Sequence, residues 1–248
     1  MNSQVLKSKK NRIKQAALLA MSPIARYHKH EVRGIGNIPK AGPCIIVINH
    51  SLATYDGFLL GAKILNSTNR EMWALGDDLI FKFNMLGKLA HSLGIVPAHP
   101  DSARKLLEDD FLVGVAPGGM HEALRSSKYK YRVDWRNRKG FVRLAIETGA
   151  PVILAACPQA DDLYTVYPSI FTKIGYKGLR IPIPLARGIG PTLIPRPVKL
   201  IHTLSLPILP PKKDPQMVEE QVNLFHGQLL KKMNEMLNPE NSSPSTAP

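Results

Sequence analysis

Three uninterrupted apolar runs constrain this chain most: 44–48 (Cys-Ile-Ile-Val-Ile), 111–116 (Phe-Leu-Val-Gly-Val-Ala) and 151–157 (Pro-Val-Ile-Leu-Ala-Ala-Cys). A strand with one wet face alternates apolar and polar residues, so a run without alternation reads as a strand buried on both faces. Around these runs the spacing predicts helices over 54–66, 82–93, 102–109, 140–148 and 219–237. Shorter strand-like pieces fall at 72–74, 94–97 and 199–204, and 31–43 holds a short strand and a Gly/Pro turn. Strands that alternate with helices through short loops predict an α/β fold: a single domain with a mostly parallel central sheet flanked by helices. With 248 residues, 44% of them hydrophobic, the chain can bury one sizeable core.

The ends differ in character from the middle. Residues 1–30 carry Lys7, Lys9, Lys10, Arg12 and Lys14 ahead of Ala-Leu-Leu-Ala-Met at 17–21. They read as a basic amphipathic helix, placed either on anionic lipid or against the core. The main domain is expected over 31–237, followed by a disordered Ser/Pro/Asn-rich tail at 238–248. Within the domain, 168–198 is rich in proline and cations and reads as a basic surface segment. No stretch reaches the ~18 apolar residues of a spanning helix, and no convincing signal-peptide cleavage pattern is present. The expected location is therefore the cytoplasmic face of a membrane, held peripherally.

Charge narrows the partners. Lys plus Arg number 33 against 19 Asp plus Glu, for a formal charge of +14. Such a balance favours anionic surfaces: lipid, phosphorylated substrates or nucleic acid. Nucleic-acid binding would need aromatics interleaved with the cations. Aromatics make up only 6% and form no such cluster, so no nucleic-acid partner is expected. Cys44 and Cys157 both lie in apolar runs and read as buried free thiols, and no metal-ligand spacing is present.

Two of the apolar runs end in chemistry. The first leads into Asn-His-Ser-Leu-Ala-Thr-Tyr-Asp-Gly at 49–57. His50 stands where a strand leaves the sheet, the rim where α/β proteins place their sites. Asp56 follows six positions on, and positions i and i+6 do not share a helix face. If the two are to meet, His50 sits in the loop and Asp56 on the first helical turn, with Ser51 or Thr54 as N-cap. A carboxylate near an imidazole fixes its tautomer and raises its basicity, as a general base for a hydroxyl requires. The second run leads into Pro117-Gly118-Gly119, whose glycines let backbone approach a ligand closely, and then Glu122 and Arg125 one turn apart. If the two loops share a rim, the set suits attack by a substrate hydroxyl on an activated acyl carbonyl. No serine or cysteine stands in a nucleophile elbow, so an acyl-enzyme is not suggested.

These blocks, in this order, resemble the glycerolipid acyltransferases of the PlsC or lysophosphatidate type. The lead-in Val-Arg-Gly-Ile-Gly-Asn-Ile-Pro at 32–39, Asn49-His50, and Ala-Pro-Val-Ile at 150–153 all fit that pattern. The common form has four residues between His and Asp; here there are five. That gap, Pro-Gly-Gly-x-x-Glu-Ala-Leu at 117–124 and Arg-Lys-Gly-Phe at 138–141 resemble the diacylglycerol-acyltransferase-like branch instead. The resemblance spans about 30–237. It implies His50 as the base, Asp56 as its partner, and Pro117, Gly118, Gly119, Glu122 and Arg125 as substrate-binding. It implies no cofactor: the co-substrate is an acyl thioester, acyl-CoA or acyl carrier protein, and the other partner a lipid hydroxyl in glycerolipid or phospholipid synthesis. The arginine that usually closes the second block is missing from Gly-Ile-Val-Pro-Ala-His at 94–99. This favours a neutral acceptor such as an acylglycerol or fatty alcohol, with Arg125 left to supply charge for a phosphate-bearing one. The alternatives are a lysophosphatidate acyltransferase proper, or a non-catalytic lipid-binding relative. His28, His30, His91, His202 and His226 show no partner pattern, while His99 and His121 lie near the blocks.

Overall fold

A computed structural model describes residues 21–82, 84–168 and 185–238. The helix expected over 1–30 lies outside these residues except for its end, where α1 (Ser22–Tyr27) follows. Most of the basic segment and all but Asn238 of the tail also lie outside them.

After β1 (Glu31–Arg33), the three apolar runs form β2 (Cys44–Ile48), β5 (Leu112–Val115) and β6 (Val152–Ala156). Between them come α2 (Asp56–Thr68), β3 (Met72–Gly76), α3 (Asp78–Lys82), α4 (Asn84–Ser92), β4 (Ile95–Pro97) and α5 (Pro100–Glu108). After β5 come α6 (Gly119–Ala123) and α7 (Gly140–Thr148), and after β6 the short strands β7 (Thr165–Val166) and β8 (Ala186–Arg187), then β9 (Ile201–Leu204) and α8 (Val218–Leu237). Seven strands form one sheet in the order β1-β9-β6-β2-β5-β3-β4. From β6 to β4 every neighbouring pair is parallel; β9 turns antiparallel to β6 and carries β1 parallel to itself. β7 and β8 pair separately.

The missing alternation in the central strands is explained by helices on both faces. Ile45 and Val47 of β2 join Val113, Val115, Val152 and Leu154 in a cluster closed by α5, α7 and α8. Cys44 and Ile46 face the other way, onto Leu60 and Ile64 of α2. All of these residues are buried, and each large side chain so placed contributes about 1.5–3 kcal/mol. In α8, Val222, Phe225, Leu229, Met233 and Leu237 recur at three- and four-residue steps and are all buried, the stripe expected of a helix lying on a core.

The helix expected over 82–93 forms as α4, with the separate short helix α3 ending where it was expected to begin. One of the local expectations needs correction. Neither Ser51 nor Thr54 caps α2: the N-cap is Tyr55, without a side-chain cap bond. Thr54 instead takes a positive φ of 51° in the loop, and Ser51 is buried with its hydroxyl unpartnered. β3 and β4 are half-buried throughout.

Candidate active site at the carboxyl edge of three strands

β6, β2 and β5 are neighbours and parallel, so the segments after them emerge on one edge, where open α/β sheets bind ligands. Asn49 ties two of these ends together. Its Nδ2 donates to the Cys157 carbonyl at 3.1 Å and its Oδ1 accepts from the Cys157 amide at 2.8 Å. His50 is therefore held against the end of β6 as well as β2.

His50 lies in the loop and Asp56 is the first residue of α2, the arrangement the six-residue spacing requires. The His50 ring is half-buried, and its Nδ1 lies 3.0 Å from the Ser51 carbonyl. A carbonyl only accepts, so Nδ1 carries the proton and Nε2 keeps its lone pair. Burial lowers the His50 pKa below 6.5, with the Ser51 bond and the Asp56 charge pulling it back up. The ring is thus neutral near pH 7, as a base must be. Asp56 acts on it through space; the hydrogen bond that fixes the tautomer comes from Ser51.

The second loop is built around Glu122, which is 3% exposed. Its carboxylate accepts the His50 amide at 3.1 Å and the Asp134 amide at 2.9 Å, joining two loops. Burial pushes its pKa up from 4.5 to about 7, against the pull of those two amides and Arg125. The two glycines serve this packing. A Cβ on Gly118 would stand 2.2 Å from the Glu122 carboxyl, and one on Gly119, at φ +50°, 2.1 Å from Arg138 Nη1. Arg138 Nη1 also donates to the Pro117 carbonyl at 3.0 Å. The Gly119 amide is committed to Ala116 at 3.0 Å.

Arg125 is occupied. Its Nη2 lies 2.6 and 2.8 Å from the two oxygens of Asp161, and its Nη1 donates to the Arg132 carbonyl. Glu122 sits 3.8 Å away. Asp161 also accepts the Tyr131 amide at 2.7 Å, and burial raises its pKa. A small pocket beside this network is lined by Leu52, Glu122, Arg125, Ser127, Asp161 and Tyr164.

Sequence reasoning missed a group of histidines behind Asp56. His202 Nε2 is 3.6 Å from Asp56 Oδ2, and His202 Nδ1 is 3.0 Å from His30 Nε2. His28 Nε2 meets the Tyr55 hydroxyl at 2.7 Å, and its Nδ1 the Val198 carbonyl at 2.9 Å. No local pattern marks these residues; the pairing of β1 with β9 brings them together across 172 positions. Asp56, Cys157 and His202 place ligand atoms within 4.8 Å of one another, the grouping among the described residues with the donor set for a metal ion. His121 lies outside the core, exposed beside Arg136, and His99 is the N-cap of α5.

A family model described as Acyltransferase matches residues 29–157. Among curated proteins, the DGAT1/2-independent enzyme synthesizing storage lipids of Bos taurus is 31% identical over 140 residues, 56% of this chain and 42% of that one. Its Gallus gallus counterpart is 29% identical over 159 residues, 63% and 47% respectively. An uncharacterized Mycobacterium tuberculosis protein is 29% identical over 177 residues, 68% and 49%. The chain thus spans somewhat less than half the length of these relatives. Among solved structures, the 1-acyl-sn-glycerophosphate (LPA) acyltransferase PlsC of Thermotoga maritima superposes with a TM-score of 0.51 at 19% identity, covering 93% of this chain and 79% of that one. That match shows a shared fold.

Proposed function

The chain belongs to the Acyltransferase family, and from that membership we propose that it moves a fatty acyl group from an acyl thioester, acyl-CoA or acyl carrier protein, to a lipid hydroxyl. The observation that carries this reading is His50: neutral, its Nδ1–H bound to the Ser51 carbonyl, its Nε2 lone pair available, on the edge it shares with the 117–119 turn. In this reading Nε2 takes the hydroxyl proton as the oxygen attacks the thioester carbonyl. Asp56 steadies the imidazolium that forms. The tetrahedral oxyanion is met by the Gly118 amide or the Arg138 guanidinium. Collapse breaks the C–S bond, and His50 returns the proton to the leaving thiolate, so base and acid are one residue.

The acceptor in this reading is neutral, an acylglycerol or fatty alcohol. Arg125, the cation that would have held a phosphate, spends its guanidinium on Asp161. The relatives named for storage-lipid synthesis agree with that choice. A phosphate-bearing acceptor draws instead on Arg138, which is exposed and acts on His50 through space. With a formal charge of +14 and no helix among the described residues long and apolar enough to cross a membrane, the proposed mode of lipid access is docking on an anionic surface.

The test is purified protein with radiolabelled acyl-CoA and a panel of lysophosphatidate, monoacylglycerol, diacylglycerol and long-chain alcohol. Transfer is expected to a neutral acceptor, falling about 10²–10⁴-fold in His50→Ala while circular dichroism stays unchanged. Near-wild-type transfer by that variant would remove the mechanism, and preference for lysophosphatidate would reverse the acceptor.

A further inference from the structure

We propose that His202 is a positioning residue for Asp56: its Nε2–H aims the carboxylate that steadies His50, and His30 holds His202 in the tautomer that makes this work. The inference rests on the transfer mechanism above.

His202 occupies an inward slot of β9, where the burial along the strand alternates and Leu204 fills the next such slot. An imidazole stands where a second apolar side chain would fit. It is fully buried, and its Nε2 has no hydrogen-bond partner although Asp56 Oδ2 is 3.6 Å away. Buried polar atoms are rarely left unpaired, and this carboxylate oxygen is the acceptor that stands nearest to hydrogen-bond reach. The Nδ1 side is fixed: His30 Nε2 stands at 3.0 Å, with the two rings nearly perpendicular at 80°. If His30 donates to that Nδ1, the His202 proton lies on Nε2, facing the carboxylate. The opposite tautomer would point a lone pair at an anion.

The other titratable groups that feel this carboxylate are His28, His30, His50, Cys157 and Tyr55, whose hydroxyl meets His28 and is held above the usual phenol range by burial. His28 and His30 precede β1, His50 follows β2 and Cys157 follows β6. Asp56 is the one carboxylate that bears on all three of these histidines. Burial holds His28, His30 and His50 below the usual histidine range and Cys157 above the usual thiol range, so none of them competes as a cation. Lys63 of α2 acts on His30 and further disfavours its protonation. Asp56 Oδ2 is therefore the acceptor that the His202 Nε2–H faces.

The test compares His202→Leu, which removes the donor, with His202→Gln, which keeps an N–H of similar reach. His202→Asn, too short to reach Asp56, replaces the leucine variant if that protein does not fold. Assays use the full chain with the best donor and acceptor of the panel. The leucine variant is expected to lose about 10- to 100-fold in kcat, the scale of a misplaced catalytic group, with KM changed by less than about twofold. Glutamine restores most of kcat, and the leucine change costs nothing further in an Asp56→Asn background. A kcat within about twofold of wild type, or a loss that glutamine does not repair, would overturn the proposal. Imidazole nitrogen NMR reads the same point without turnover. An Nε2–H tautomer at His202, and a His50 titration displaced in the leucine variant, support it; an Nδ1–H tautomer or an unmoved His50 refutes it. Wild-type protein inactive on the whole panel would instead remove the transfer reading.

Discussion

Glu122→Gln separates the charge of a buried carboxyl from its shape. In the folded protein burial raises the Glu122 pKa from 4.5 to about 7, while in the unfolded chain the group titrates near its ordinary value. The folded state therefore keeps a proton that the unfolded chain has released. The stability this contributes is fully present below about pH 4.5 and is lost as the pH rises through about 7. The shift spans roughly 2.5 units, and at about 1.4 kcal/mol per unit it bounds the effect near 3.5 kcal/mol, of which about 3 falls between pH 5 and pH 8 at most. Glutamine mimics the protonated acid and does not titrate. Urea unfolding of both proteins at about pH 5 and about pH 8 isolates Glu122, because every other group is common to the two. Relative to the variant, wild type should lose up to about 3 kcal/mol between the two conditions. A difference constant to within about 0.5 kcal/mol would mean the amides of His50 and Asp134, with Arg125, already neutralise the cost of burial, and the balance drawn here would be wrong.

Two further perturbations test the surroundings of the site. Arg125→Ala leaves the Asp161 carboxylate, whose side chain is 9% exposed, without its counter-ion; a loss of about 3 kcal/mol in chemical denaturation is expected, partly recovered by adding Asp161→Asn. In His30 burial, then the neighbouring His202, lowers the pKa from 6.5 to about 4. Its neutral form thus stabilises the fold above about pH 6.5, and that contribution is lost as the pH falls toward 4, so His30→Gln should move the acid-unfolding midpoint, followed by circular dichroism, to lower pH.

Where the sequence was legible, local burial had written the pattern. Ile45 and Ile46 face opposite helical layers, so both are apolar, and β2 could be read without knowing its neighbours. The residues from 140 to 148 satisfy the helical period and form α7 over that span. His50 and Asp56 were legible for a geometric reason: their spacing forces one into a loop and the other onto the next helix. The N-cap was not, because Thr54 adopts a left-handed turn that its sequence neighbours do not announce. His30 and His202 were silent because each is an ordinary residue until β9 reverses direction and pairs with β1.

Arg125 shows the same limit where it bears on function. Its position three residues after Glu122 suggested a cation free for a substrate phosphate. Asp161, 36 positions away, takes that charge, and only the adjacency of β5, β2 and β6 brings the two together. Gly118 and Gly119 read as a cradle for ligand, yet they leave room first for Glu122 and Arg138. Motif chemistry identifies which groups can act; the charge left over after the fold has paired them decides what they act on. Arg138, exposed beside the 117–119 turn, is a cation that this pairing leaves at the edge. The acceptor panel and the Arg125→Ala denaturation therefore address one question from two sides: a protein that loses stability but not acceptor affinity on losing Arg125 uses that residue to hold its loops.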